Sequence, residues 1–304
     1  MKKIDKESMP FPPKHHQSGW TIFSRFFVAP VGAIVCVLIT SFSHSTVSFP
    51  RDQFPKEIPY TDFFQVGEEL TYEVSYLSIA LGTIVSKVTA IDKVNGKPQY
   101  KIEAHIRSYK GIPFTTISTI FQSSMSSTLH SISFSTREWY KDTTHKYIHY
   151  SYDQKKDLVY ISERLGNEKI VEHYDTIKLD RKKYQDGCSL LFYARAHTFA
   201  YKEESVPTLV YRSKADTYIR SGIERTSIDI DAVDYPVDVM KLEGDAHFTG
   251  IFGLTGGFKG YFSADSACVP IFAQMKVLVG SVNIELIKWK RPGWQPPKGK
   301  DDSY

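Results

Sequence analysis

The 304-residue chain has three cysteines, and one of them, Cys36, lies in an apolar amino-terminal stretch. Cys188 and Cys268 are all that remain for the body, too few for the disulfide framework that staples small exported domains. In an oxidising compartment the two could pair, but cysteine is among the most buried residue types, and two separately buried thiols are the expected arrangement. No CxxC or HExxH spacing supplies a set of metal ligands, so no metal site is expected. A GxSxG elbow, a P-loop and a dinucleotide fingerprint are also missing. Nucleophilic and phosphate chemistry therefore have no positive sign, and the expectation is a protein without enzymatic activity and without cofactors. Net charge is scarce too: of a formal +4, the first 45 residues carry +3, which leaves the body nearly neutral. That excludes the broad basic surface on which nucleic-acid affinity rests. No internal repeat recurs at a fixed period.

The amino-terminal segment, residues 1–45, has the make-up of an export signal or a membrane anchor. A polar, basic start ends at Arg25, an apolar run follows from Phe26 to Ile39, and Ser41, Ser43 and Ser45 offer the small residues a signal peptidase accepts. The rival is an uncleaved anchor, in which Trp20 to Phe42 crosses a bilayer of about 30 Å with Arg25 snorkelling, giving membrane contact. A lipobox is disfavoured, because Cys36 follows Val35 rather than a small residue. Either way the body is expected in the periplasm or cell envelope. Residues 46–61 hold Pro50, Pro55 and Pro59 among mixed charges and read as a linker.

The body, residues 62–290, is rich in extended segments. Leu70, Tyr72, Val74 and Tyr76 alternate with Glu69, Thr71, Glu73 and Ser75, one row for a core and one for water. Gly82 marks a bend before a second β-branched run, and Asn95-Gly96 signals a hairpin turn that launches Tyr100, Ile102, Ala104 and Ile106 on one face. Further strands are expected over Thr115–Met125, Ser131–Tyr140, His145–Tyr152, Leu158–Arg164 and Lys169–Leu179. After a helix come Thr208–Tyr211, Thr217–Ile219, Ser227–Ile230, Val237–Leu242 and the glycine-rich Ile251–Tyr261, then a hairpin from Pro270 to Trp289. The tail, residues 291–304, has the proline, glycine and charge of a disordered segment. With 19 Tyr, 19 Phe and 4 Trp, the composition suits strands around a core or cavity.

Asp186 is placed to cap a helix of about a dozen residues, with Leu190, Leu191 and Ala194 on one face and Arg195 toward the other. On the plainer reading Asp186 only caps and Arg195 pairs with a carboxylate on the sheet. On the sharper one Arg195 stands at a cavity mouth, where its planar fork holds a lipid phosphate or a substrate carboxylate. His145 and His149 share a face about Tyr147, but about 13 Å along a strand is too far for one ion, so they read as a solvated polar face. Asp229, Asp231, Asp234 and Asp238 lack the glycine and glutamate offsets of a calcium loop and read as the solvent side and turn of a hairpin.

Gly67-Glu68, the row Leu70, Tyr72, Val74 and Tyr76, then Gly82, then Asp186, Ser189, Leu190, Tyr193 and Arg195, then Asp265, Pro270 and Gly280 together resemble a bacterial envelope family, domain of unknown function 3108. The resemblance spans roughly residues 62 to 290 and implies an exported β-barrel-like or open-sheet domain in a Gram-negative cell. It implies no activity. The plan is also similar to the open barrels of periplasmic lipoprotein carriers, an analogy of architecture only.

The expected fold is all-β, a strongly curved antiparallel sheet or open β-barrel with one short covering helix. The expected function is a non-catalytic binding or carrier module for an apolar or lipid-like ligand, with Tyr72, Tyr76, Tyr193 and Arg195 as candidate ligand-binding residues. The alternatives are an envelope scaffold that meets a protein partner through exposed strand edges and a hydrolase of a wall or membrane substrate.

Overall fold

The computed structural model describes residues 63–112, 116–140, 144–166, 173–181, 183–248, 256–277 and 280–300. The leader and linker expected over residues 1–61 lie outside them. Eight strands come first: β1 (Glu69–Tyr76), β2 (Ile79–Val94), β3 (Lys97–Ser108), β4 (Ser118–Met125), β5 (Ser131–Tyr140), β6 (Thr144–Asp153), β7 (Leu158–Leu165) and β8 (His173–Lys178). Helix α1 (Gly187–Ala196) follows, and then β9 (Glu203–Val210), β10 (Ser213–Ile228), β11 (Val237–Ala246), β12 (Gly256–Ser263), β13 (Pro270–Lys276) and β14 (Ser281–Lys290).

All fourteen strands join one antiparallel sheet in the order β8-β7-β6-β5-β4-β3-β2-β1-β14-β13-β12-β11-β10-β9. The chain starts at the middle, meanders out to one edge, crosses through α1 to the opposite edge and meanders back until β14 pairs with β1. The sheet is not closed by a ladder between β8 and β9. It is nevertheless rolled, because Arg212, in the β9–β10 turn, reaches Glu163 of β7 and Asp175 of β8.

Local chemistry accounts for the hairpins. Asn95 and Gly96 both take positive φ, +52° and +76°, as a two-residue turn matched to strand twist requires. Gly82 faces Val74 at a bulge in the β1–β2 ladder, and a Cβ there would lie 2.3 Å from the Arg107 carbonyl oxygen. Only glycine lets β3 approach that closely. In β1 the alternation holds for Leu70, Tyr72 and Val74, which are buried, while Tyr76 at the strand end is half-buried.

Three expectations need correction. Residues 217–219 and 227–228 are not separate strands, since β10 runs unbroken from Ser213 to Ile228 through a bulge at Gly222, whose φ is +64°. The helix is ten residues long, and Arg195 lies on its buried side while Leu191 is 38% exposed. The tail is not disordered through residue 300. Trp294 is buried in a core cluster with Leu70, Tyr72 and Leu286, and its Nε1 donates to Asp265 at 2.8 Å. Gly299 N donates to the Pro236 carbonyl at 2.7 Å, and Asp238 N to the Pro297 carbonyl at 2.8 Å. Residues 301–304 lie outside the described set.

Candidate functional site

The concave side of the sheet is organised by α1. Asp186 is fully buried and caps the helix: its Oδ1 accepts from Cys188 N and Ser189 N, each at 2.8 Å, and Ser189 Oγ accepts from Asp186 N to complete a capping box. Its Oδ2 accepts from Ser123 Oγ of β4 and Ser131 Oγ of β5, both at 2.7 Å. One carboxylate thus pins the helix to two strands. Burial raises the Asp186 pKa above the ordinary carboxylate value, and these hydrogen bonds oppose the rise.

The other face of the helix carries Phe192, which stacks on Phe64 with centroids 5.1 Å apart, and Phe64 in turn stacks on Tyr100 at 4.0 Å. Val88, Ile102, Met125, Leu129, Phe199 and Met240 close around them. On the far side Ala194 meets Val206, Ile219, Leu242 and Phe262, so both halves of the sheet wrap the same helix. Where a carrier would hold its ligand beneath α1, aromatic side chains occupy the space.

Arg195, 1% exposed, is not at a cavity mouth. Its Nη1 and Nη2 donate to the two carboxylate oxygens of Glu68 at 2.6 and 2.9 Å, and its Nε and Nη2 donate to the Ala267 carbonyl at 3.0 and 2.8 Å. Four of its five N–H donors are thereby engaged. Arg291, from the tail, donates to Glu68 Oε2 and to the Phe63 carbonyl. Burial alone would lower the Arg195 pKa, but the Glu68 charge outweighs it and holds the guanidinium above its ordinary value. This cluster joins the entry to β1, the helix and the exit from β14. Of the two readings of Arg195, the geometry matches the carboxylate partner, which lies just ahead of β1 rather than on the sheet.

The three tyrosines named with Arg195 are not brought together at one site. Tyr72 is buried and its hydroxyl donates to the Pro270 carbonyl at 3.1 Å, with burial driving its pKa far up. Tyr76 lies against Gly280, at the β13–β14 turn. Tyr193 donates to Glu204 at 2.8 Å and its ring packs 4.1 Å from that of His197. Glu68 and Arg291 escaped assignment, the first because a Gly-Glu pair before a strand reads as a turn, the second because it opens a segment of tail-like composition.

Cys188 and Cys268 are free thiols. Burial pushes the Cys268 pKa up to about 12 and Cys188 well above its ordinary value, so neither is a thiolate near neutral pH. Among the described residues no group of three or more His, Cys, Asp or Glu is placed to hold a metal ion. Asp238, from the acidic stretch, pairs with Arg225 of β10. Among the described residues, too, no helix is long and apolar enough to cross a membrane.

Comparison with known proteins adds a family. A family model described as "Protein of unknown function (DUF3108)" matches residues 71–287. No curated relative matches the chain. A β-barrel-like protein of domain of unknown function DUF1849 from Brucella abortus is similar over 74% of this chain and 97% of its own, with 11% identity and a TM-score of 0.46. A candidate lipoprotein from Parabacteroides distasonis gives 9% identity over 75% of this chain and 96% of its own, with a TM-score of 0.34. A candidate exported protein with a YmcC-like fold from Bacteroides fragilis gives 9% identity, 75% and 97% coverage and a TM-score of 0.33.

Proposed function

The chain belongs to the DUF3108 family, and we propose that it is a non-catalytic binding module of the cell envelope that acts through the outside of its sheet. One observation carries the reading: the buried groups best suited to anchor a ligand are already engaged within the protein. Arg195 is held by Glu68 and Ala267, Asp186 by its helix and two serines, and Tyr72 by Pro270. A carrier needs a chamber and a free anchoring group, and the candidate anchor here is engaged. A hydrolase needs convergent groups with acidities near working pH, whereas the two thiols are driven far above it. The leader-like residues 1–45 support placement in the envelope.

Native mass spectrometry on protein purified from its own membranes, with in-cell crosslinking beside it, tests this. The expected outcome is a chain free of tightly held lipid and a dominant crosslinked envelope component. One lipid retained per chain would replace this reading with the interior carrier.

A further inference from the structure

We propose that the outward face of β5 to β8 binds an anionic glycan, which deepens the reading of an externally acting module and rests on it. The strand ladders place Arg137 opposite Tyr147, and Tyr147 opposite Arg164, so that three neighbouring strands contribute to one row. Arg164 Cζ lies 4.7 Å from the Tyr147 ring centroid, and Arg137 Cζ lies 5.8 Å from the same ring and 5.9 Å from Trp139. His149 stands 6.4 Å from Tyr147 with the two rings 4° from parallel. The result is a plate of alternating cations and ring faces lying along the sheet.

Two features mark this plate. Elsewhere Arg181, Arg195, Arg212, Arg220, Arg225 and Arg291 each meet a carboxylate, Arg107 being the exception among the described arginines outside it. Arg137 and Arg164 instead lie against rings, and among the described residues no carboxylate neutralises either. The acids of the same strands point the other way: Glu163 and Asp175 sit at the opposite parity, where Arg212 meets them. The outward positions of β5 to β8 hold no Asp or Glu until the turn at Asp153, whose carboxylate caps Lys155 N and Lys156 N.

A cation that no described carboxylate neutralises, set beside a half-buried ring, calls for a ligand that is negative and also has a flat apolar side. A sugar ring carrying a carboxylate or phosphate has both, since its C–H face stacks on Tyr or Trp while guanidinium donates to the acid. Ser133, Ser151 and Ser162 lie on the same face and supply hydroxyls. A bilayer surface would favour aliphatic side chains in those places. Tyr174 of β8, 74% exposed and paired with Ser162, extends the plate to the sheet edge.

The test uses the full chain and polygalacturonate, with dextran as the neutral counterpart, read by isothermal calorimetry. Binding to polygalacturonate, absent for dextran, is expected to weaken at least tenfold in Arg137→Gln/Arg164→Gln and to fall steeply with salt. Tyr174→Ala, at an exposed edge, gives a second reading if the double variant melts early, and it is expected to weaken binding with the melting curve unchanged. Failure to bind, binding insensitive to these variants, or equal affinity for phosphatidylglycerol vesicles or single-stranded DNA overturns the assignment. If polygalacturonate fails while crosslinking still captures an envelope protein, only this inference falls. A retained interior lipid would instead remove the broader reading.

Discussion

Where the amino-terminal entry, the helix and the tail converge, Glu68 accepts from two arginines in a site almost closed to water. Along the gap between the sheet's edges, Arg212 meets Glu163 and Asp175, Arg181 meets Asp216 at 2.8 Å, and Lys214 meets Asp180, all within reach of solvent. Both clusters join segments remote in sequence. The first cannot lose Glu68 without leaving two buried guanidinium groups unpaired, whereas the second can exchange any partner for water. Ion pairs of similar length therefore do different work, one fixing a unique packing and the other holding two edges near each other while leaving the sheet open.

The largest effect should follow from neutralising the shared carboxylate. Glu68→Gln leaves Arg195 and Arg291 buried without a counter-charge and is expected to cost about 4 kcal/mol, read as a shift in the denaturant midpoint with an unchanged m-value. Trp294→Ala tests whether the tail belongs to the same buried system. A loss of about 3 kcal/mol is expected for removing a core indole, whereas an unchanged midpoint would mean that the tail only rests on the surface. Asp186→Ala removes a helix cap and strands two serine hydroxyls, for about 2 kcal/mol by denaturation.

Arg212→Ala at the open gap should cost under about 1 kcal/mol, and 1 M salt should erase the difference from the unaltered chain. The edge pairs and the helix cap differ in the sign of their pH response. Burial would raise the Glu163 pKa, but hydrogen bonds from Lys146 and Arg212 outweigh it, and Arg181 lowers that of Asp216. Stability from these groups is present above the unfolded carboxylate value of about 4 and is lost as pH falls through the folded values. Asp186 runs the other way: its folded pKa is raised, so acidification toward the ordinary value relieves the penalty of a buried charge. Melting curves at several pH values should show Asp186→Asn removing that acid-side relief and Arg212→Ala removing part of the acid-side loss.

The elements that local chemistry decides were legible beforehand. Asn95-Gly96 announces its hairpin, β1 alternates through Val74, and Asp186 precedes its helix as a cap should. What stayed hidden depends on partners far along the chain. That Arg195 needs a carboxylate follows from its type, but which carboxylate does not, because Glu68 lies 127 positions away and ahead of the sheet. The tail's proline, glycine and charge describe its solubility and say nothing of one indole finding Asp265. At Gly222 a bulge interrupts the alternation of a strand that continues through it, so a single strand resembled fragments. Of the candidate site residues the sequence could supply identities but not company, because Tyr72, Tyr76 and Tyr193 are sorted to separate places by pairing registers that no short window contains.

The pairing of first strand with last has a bearing on how such a chain matures. Neighbouring hairpins can form as soon as their residues appear, yet the β1–β14 ladder and the Glu68–Arg291 contact, 223 positions apart, wait for β14 and the residue after it. Long-range closure of this kind is slow. A chain made amino-terminus first would thus hold two separate runs of hairpins until β14 and Arg291 followed, and only then could the halves of the sheet be sewn together.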